Sequence, residues 1–305
     1  MGSPCQLRWA PRQPAEDMRL AQQVQARVAE LEARYSRYQE DSLCSRINRS
    51  AGSGSWVDLD PESSGLLDYA QTAWEQSEGL FDITSGVLRR AWDFRSGQLP
   101  DAEAVQVLLP LVGWEQVQRQ GQKLRLPKPG MELDFGGFVK EYTVDVCVAL
   151  CRAAGLETGL VDLGGDIGLI GPHADGSAWK VGIRHPRQPE KAILRVDLRW
   201  GALASSGDYE RFMEIDGQRY CHILNPRNGW PVQGLAGVSV IADRCLLAGT
   251  ASTIALLKQG DAVDWLDALG LPWLGVAQDL RLLGPLAASP DPEVGPASQS
   301  GPKGS

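Results

Sequence analysis

The 305-residue chain has no apolar run approaching the ~20 residues that a membrane-spanning helix needs. Its N-terminus shows no charged-then-apolar leader. Both absences lead us to expect a cytoplasmic protein with no transmembrane segment. Lys and Arg are nowhere gathered into a patch, and the net charge is −8 with a pI near 5.0. A nucleic-acid partner is therefore not expected, because phosphate backbones are held by clustered cations. The six cysteines, Cys5, Cys44, Cys147, Cys151, Cys221 and Cys245, include no CxxC pair. That argues against a zinc ribbon or a redox couple and for reduced, buried thiols. No GxGxxG turn, repeated βαβ unit or internal repeat occurs, which removes the main signs of a doubly wound dinucleotide fold.

What is present is ordinary for a soluble globular protein, with 43% hydrophobic and 22% charged residues, enough for one large core. The ten tryptophans are the exception; they suit core packing, and their flat surfaces also suit a ring-shaped ligand. From about Pro285 the Pro, Gly and Ser content predicts a disordered tail over 285–305, leaving 1–284 as the folded domain.

Periodicity predicts an amphipathic helix from Ala15 to Tyr35 through Leu20, Val24, Val28 and Leu31. A polar loop from Ser36 to Ser55 and a helix from Gly65 to Gln76 are expected next. Residues 97–130 read as short surface strands and turns. A helix after Gly137 is expected to turn Val139, Tyr142, Val146, Leu150 and Ala153 inward and to stop at Gly155. On that helix Cys147 and Cys151, one turn apart, read as packing residues. Strands are expected at Gly159–Val161, around Leu194–Leu198, in a hairpin turning at Asp216-Gly217, at Val238–Val240 and at Trp273–Ala277. Helices are expected at Ala251–Lys258 and Ala262–Leu269. The class is α+β, with mixed, largely antiparallel sheets and packed helices.

Four clusters join glycine to an acid or an imidazole, as a site needs when backbone approaches a phosphate and side chains orient it. They are Phe81-Asp82-Ile83-Thr84-Ser85-Gly86, Asp134-Phe135-Gly136-Gly137 with Lys140, Gly164-Gly165-Asp166, and Ser205-Ser206-Gly207-Asp208-Tyr209 with His222. Singly each is a common turn. His222 on its own reads first as a histidine bridging hairpin strands and second as a base, since imidazole titrates near neutrality.

Together and in order, these segments resemble the signatures of the ApbE family of FAD:protein FMN transferases. Tyr220-Cys221-His222-Ile223-Leu224-Asn225-Pro226-Arg227-Asn228-Gly229 is similar to that family's His-Ile-Asp-Pro-Arg-Thr-Gly stretch, and Met1-Gly2-Ser3 to its opening Met-Gly-Thr. The resemblance covers about residues 1–277 and implies an ApbE-like (T-fold-like) domain. It also implies FAD as donor, Mg2+ as cofactor, and a partner flavoprotein whose Thr or Ser, in a flavinylation motif, receives FMN as AMP leaves. By the same resemblance His222 is the base. Met1, Tyr38, Leu80, Phe81, Asp82, Asp134, Lys140, Asp208 and Leu224 meet the flavin and its phosphates. The Gly137 carbonyl and Thr253 hold the cation. Tyr38 could cover a ring or simply pack, and Lys140 could pair with phosphate or be a solvated helix residue.

The chain also departs from the pattern. Where the family offers Asp-Ala-x-x-Thr, this sequence reads Gly249-Thr250-Ala251-Ser252-Thr253, so the expected carboxylate is missing. Asn225 likewise replaces an aspartate. Mg2+ prefers one or two carboxylates beside phosphate oxygens, so the site is weakened unless water or another acid substitutes; Asp243 is a substitute in sequence only. A flavin carrier without catalysis and an FAD pyrophosphatase are the alternative functions.

Overall fold

The computed structural model describes residues 4–288 and 293–294. Met1 and most of the expected tail lie outside the described residues. The chain runs β1 (Cys5–Trp9), α1 (Pro14–Tyr35), α2 (Leu43–Arg49), β2 (Val57–Asp58), α3 (Pro61–Gln76), α4 (Ala102–Leu108), β3 (Gln118–Gln120) and β4 (Lys123–Arg125). It continues through α5 (Val139–Ala153), β5 (Gly159–Leu163), β6 (Asp166–Gly171), β7 (Trp179–His185), β8 (Gln188–Leu198), β9 (Ala202–Gly207), β10 (Phe212–Ile215) and β11 (Gln218–Cys221). It closes with β12 (Gly237–Ala242), α6 (Cys245–Lys258), α7 (Ala262–Leu269), β13 (Trp273–Val276), β14 (Leu282–Leu283) and β15 (Glu293–Val294).

Seven strands form the central sheet in the order β1-β5-β6-β9-β12-β13-β14, antiparallel throughout. Its two faces are covered differently, and alternation along the strands sorts the side chains. Ala202, Ala204, Val240 and Ala242 face the helical layer of α1, α5 and α6, while Leu203 and Ile241 face the β7–β8 hairpin with Val181, Ile183, Val196 and Leu198. All six residues of β12 are buried, as a central strand covered on both faces requires. The fold is α+β.

Helix α6 reaches the sheet closely because its buried face is small: Ala248, Gly249, Ala251, Ser252 and Ala255. Its N-terminus is held by another helix, for Asp145 of α5 accepts hydrogen bonds from the Cys245 and Leu246 amides at 2.8 and 3.0 Å. That carboxylate satisfies two of the orphan donors of a helix start and complements its dipole. The α5–α6 pair is thereby locked in register.

Several local expectations are corrected. The polar stretch after Ser36 contains α2, capped by the Ser42 hydroxyl on the Ser45 amide and anchored by buried Cys44 and Ile47. The 97–130 segment includes α4, and Trp114, Leu124 and Leu126 are core residues. Helix α5 buries Val139, Glu141, Thr143, Val144, Cys147, Val148 and Cys151, whereas Tyr142, Val146 and Leu150 are half-buried and Ala153 is exposed. Five cysteines are buried and Cys5 is exposed, and among the described residues no disulfide forms. Order continues past the expected boundary at Pro285, where Pro285–Ala287 forms a 3-10 turn and seats Leu286 against the hairpin-side core. The hairpin at Asp216-Gly217 is as expected, with φ of +51° and +76°. No helix is long and apolar enough to cross a membrane among the described residues.

Candidate active site

His222 follows β11, its amide donating to the Arg211 carbonyl at 2.9 Å across the mouth of the β10–β11 hairpin. The ring is exposed to solvent, yet protein crowds it from most sides. That crowding, and then the positive charges of Arg211, Lys140 and Arg37, hold the imidazole below its ordinary 6.5, toward about 4. Water reaches the ring and screens part of these effects. The imidazole is neutral at pH 7, as a proton acceptor must be.

The same three cations draw further residues into one place. Arg37, just after α1, forms a short ion pair with Asp134, and its guanidinium donates to the Tyr38 hydroxyl at 2.8 Å and sits 4.8 Å from that ring's centre. Arg211 also bears on the Tyr38 hydroxyl. Asp134 caps the 3-10 turn Phe135–Gly137, accepting from the Gly136 amide at 2.9 Å. Tyr38 is 73% exposed, so its ring is available as a cover rather than spent on packing.

Lys140, one residue into α5, is no solvated surface residue. Its ammonium lies 2.6 Å from Asp166 Oδ2, where the turn Gly164-Gly165 delivers the first residue of β6, and 4.0 Å from Glu141 Oε1. Burial works against the Lys140 charge, but the Asp166 and Glu141 carboxylates outweigh it and raise the pKa well above the ordinary lysine value. Glu141 shifts the other way for a carboxyl. Burial, reinforced by the Asp166 charge, raises it well above the carboxylate range.

Leu80, Phe81 and Asp82 are buried together. Phe81 meets Phe138 edge-on at 6.2 Å and lies 3.7 Å from where a Cβ on Gly137 would stand, which puts it next to the start of α5. Leu224, half-buried two residues after His222, bridges to Pro231. Thr253 lies on α6, its hydroxyl 2.8 Å from Ser206 Oγ of β9.

Two carboxylates expected at the ligand are committed to the protein. Asp82 accepts from the Thr84 amide and hydroxyl at 2.7 and 2.6 Å and from the Trp114 amide at 2.9 Å, so it ties the 3-10 turn Ile83–Arg90 to the Trp114 segment. Asp208 receives a two-pronged Arg187 pair at 2.6 and 2.9 Å and the Gln278 amide at 3.0 Å. Asp243, the substitute considered for the missing acid, makes no contact with Gly137, Thr253 or Glu141 that the structure records among the described residues. It is exposed before α6 and lines a separate concavity with Asp145, Arg152 and Arg244.

A model of the ApbE family matches residues 1–272 of this chain. The chain belongs to the ApbE family. The FAD:protein FMN transferase of Treponema pallidum is 32% identical over 294 residues, 87% of this chain and 81% of that protein. The enzyme of the same description from Escherichia coli K12 is 28% identical over 242 residues, 75% and 68% of the two chains. Among solved structures, the ApbE protein of Thermotoga maritima aligns with a TM-score of 0.83 at 27% identity, over 92% of this chain and 96% of that one. The flavin transferase ApbE of Vibrio cholerae gives 0.82 at 25% identity, over 95% of each.

In this ApbE-family chain, sequence reasoning missed Arg37, Arg211 and Glu141. Arg211 ends the Ser206-Gly207-Asp208-Tyr209-Glu210-Arg211 signature and could have been singled out there. Arg37 and Glu141 carry no local signal, since their importance comes from residues about 100 positions away.

Proposed function

We infer that this chain is an FAD:protein FMN transferase that attaches FMN to a Thr or Ser hydroxyl of a partner flavoprotein and releases AMP. The observation that carries the reading is the neutral, water-accessible His222 imidazole close to the Arg37, Lys140 and Arg211 charges, which suit a diphosphate. Those cations stand out in a chain of net charge −8. Tyr38 offers an exposed ring for the flavin or adenine.

The acceptor hydroxyl oxygen forms a bond to the phosphorus on the FMN side, and the bond from that phosphorus to the bridging oxygen breaks. AMP leaves with the bridging oxygen and its electron pair. The hydroxyl proton passes to His222. Lys140 and Arg211 offset charge on the phosphoryl oxygens, and the protein places hydroxyl and phosphorus in line. A divalent cation, expected to be Mg2+, would add Lewis-acid stabilisation of the same oxygens.

Gly137 and Thr253 would hold that cation. Among the described residues no group of three or more His, Cys, Asp or Glu is arranged to hold a metal alone, so its binding depends on the substrate's diphosphate. The protein does contribute a fitting donor, the buried Glu141 Oε2, which accepts no hydrogen bond.

The test is incubation with FAD, Mg2+ and an acceptor bearing a Thr or Ser flavinylation motif. Covalent FMN on the acceptor with stoichiometric AMP is the expected result. Free FMN with AMP would make the chain a pyrophosphatase, and intact FAD retained on the protein would make it a carrier.

A further inference from the structure

Gly249 lies on the buried face of α6, and a Cβ added there would stand 2.4 Å from Cγ of Glu141, 3.0 Å from its Cδ and 3.1 Å from its Oε1. The side chain of Glu141 therefore fills the volume that a side chain at 249 would need. In a close-packed interior the two positions cannot both carry an acid as placed. The missing carboxylate of α6 has a counterpart, and it comes from α5.

Glu141 Oε2 and Asp166 Oδ2 are both buried without a hydrogen bond, and only the latter has an ion-pair partner. Asp166 accepts from the Ser205 amide at 3.2 Å through Oδ1 and pairs with Lys140 at 2.6 Å through Oδ2. Lys140 stands back from Glu141 Oε1 at 4.0 Å. Glu141 is only 8% exposed, and its Oε2 accepts no hydrogen bond. A buried carboxyl oxygen without a hydrogen-bond partner is costly unless a donor or a cation arrives to meet it. Thr253, one turn beyond Gly249 on the same face of α6, brings a hydroxyl to this side of the helix. A carboxylate, a hydroxyl and substrate phosphate oxygens make up the hard donor set that small divalent cations take.

We propose that Glu141 is the carboxylate ligand of the divalent cation used in the transfer, supplied from α5 into the space that Gly249 leaves open on α6. The assignment rests on the transferase reading, since it needs a diphosphate substrate to complete the coordination. It makes residues 141 and 249 a reciprocal pair: one acid, carried by either helix.

The experiment titrates Mn2+ into the full chain in the presence of FAD and follows free Mn2+ by electron paramagnetic resonance. Wild type, Glu141→Gln and the exchange variant Glu141→Gly/Gly249→Asp are compared, with folding checked by thermal melting and metal-free FAD affinity by flavin fluorescence. Glu141→Gln is expected to weaken Mn2+ at least about tenfold with metal-free FAD affinity unchanged. The exchange variant is expected to return to within about threefold of wild type, because the acid is restored from the other helix. Wild-type Mn2+ affinity in Glu141→Gln overturns the proposal, as does a folded exchange variant that binds no better than Glu141→Gln. Should Glu141→Gln fail to fold, the exchange variant alone decides: Mn2+ affinity within about threefold of wild type supports the proposal, and a loss of about tenfold or more overturns it. A wild type that takes up no FAD would overturn the transferase reading, and this assignment with it.

Discussion

The depressed pKa of His222 predicts an unusual pH profile. At pH 6 an imidazole with the ordinary value of 6.5 would be about three-quarters protonated and useless as a base, whereas one at about 4 would be protonated about one per cent of the time. In single-turnover transfer, kcat/KM for FAD should therefore stay nearly flat from pH 8 to below pH 6 and fall only as the pH approaches the His222 value. Part of the depression comes from Arg211, Lys140 and Arg37, and a bound diphosphate offsets those charges. The acid limb of kcat, which reports the complex, should accordingly lie at higher pH than that of kcat/KM. Arg211→Gln should move the kcat/KM limb upward. A kcat/KM limb at 6.5 or above in wild type, or one indifferent to Arg211→Gln, would refute the reasoning. Stability should follow the same sign. The unfolded chain takes up the His222 proton first, so the contribution present above pH 6.5 is lost as the pH falls from 6.5 toward about 4.

His222→Ala should lower transfer by about 10²–10⁴-fold while FAD affinity by flavin fluorescence is retained, because the ring moves a proton rather than anchoring the ligand. Asp82→Ala should cost about 2–4 kcal/mol in urea unfolding, since buried Thr84 and Trp114 donors lose their acceptor. FAD affinity of the folded fraction should stay near wild type; a large loss of affinity without a stability change would return Asp82 to the ligand. Gly249→Ala should cost about 1–3 kcal/mol through overlap with Glu141, and most of that cost should vanish in a Glu141→Ala background. Equal costs in the two backgrounds would mean that the positions do not share space.

Much of the fold was legible where structure is local. The Asp216-Gly217 hairpin and α7 appear as the residues dictate, because turn chemistry and a short amphipathic period specify them without distant help. Helix α6 was read six residues too short. Its first turns are apolar nearly all round and so lack periodicity, and the acid that caps it, Asp145, lies 100 positions earlier. The inward face of α5 was misjudged for a related reason. A glutamate on the buried side contradicts any apolar pattern, and only the absent side chain of Gly249 across the helix pair explains its place. In the candidate site, Lys140 and His222 stand out in sequence as titratable residues near glycine turns. Asp82 and Asp208 look identical to ligand-binding acids in sequence, and their ties to Thr84 and Arg187 appear only in the fold.

Equilibrium titration of the purified full chain with FAD, read by flavin fluorescence with and without Mg2+, tests the central claim most directly. Saturable binding that riboflavin fails to reproduce, and that added salt and Arg211→Gln both weaken, is the predicted result. Absence of FAD binding under every divalent-ion condition would contradict the account.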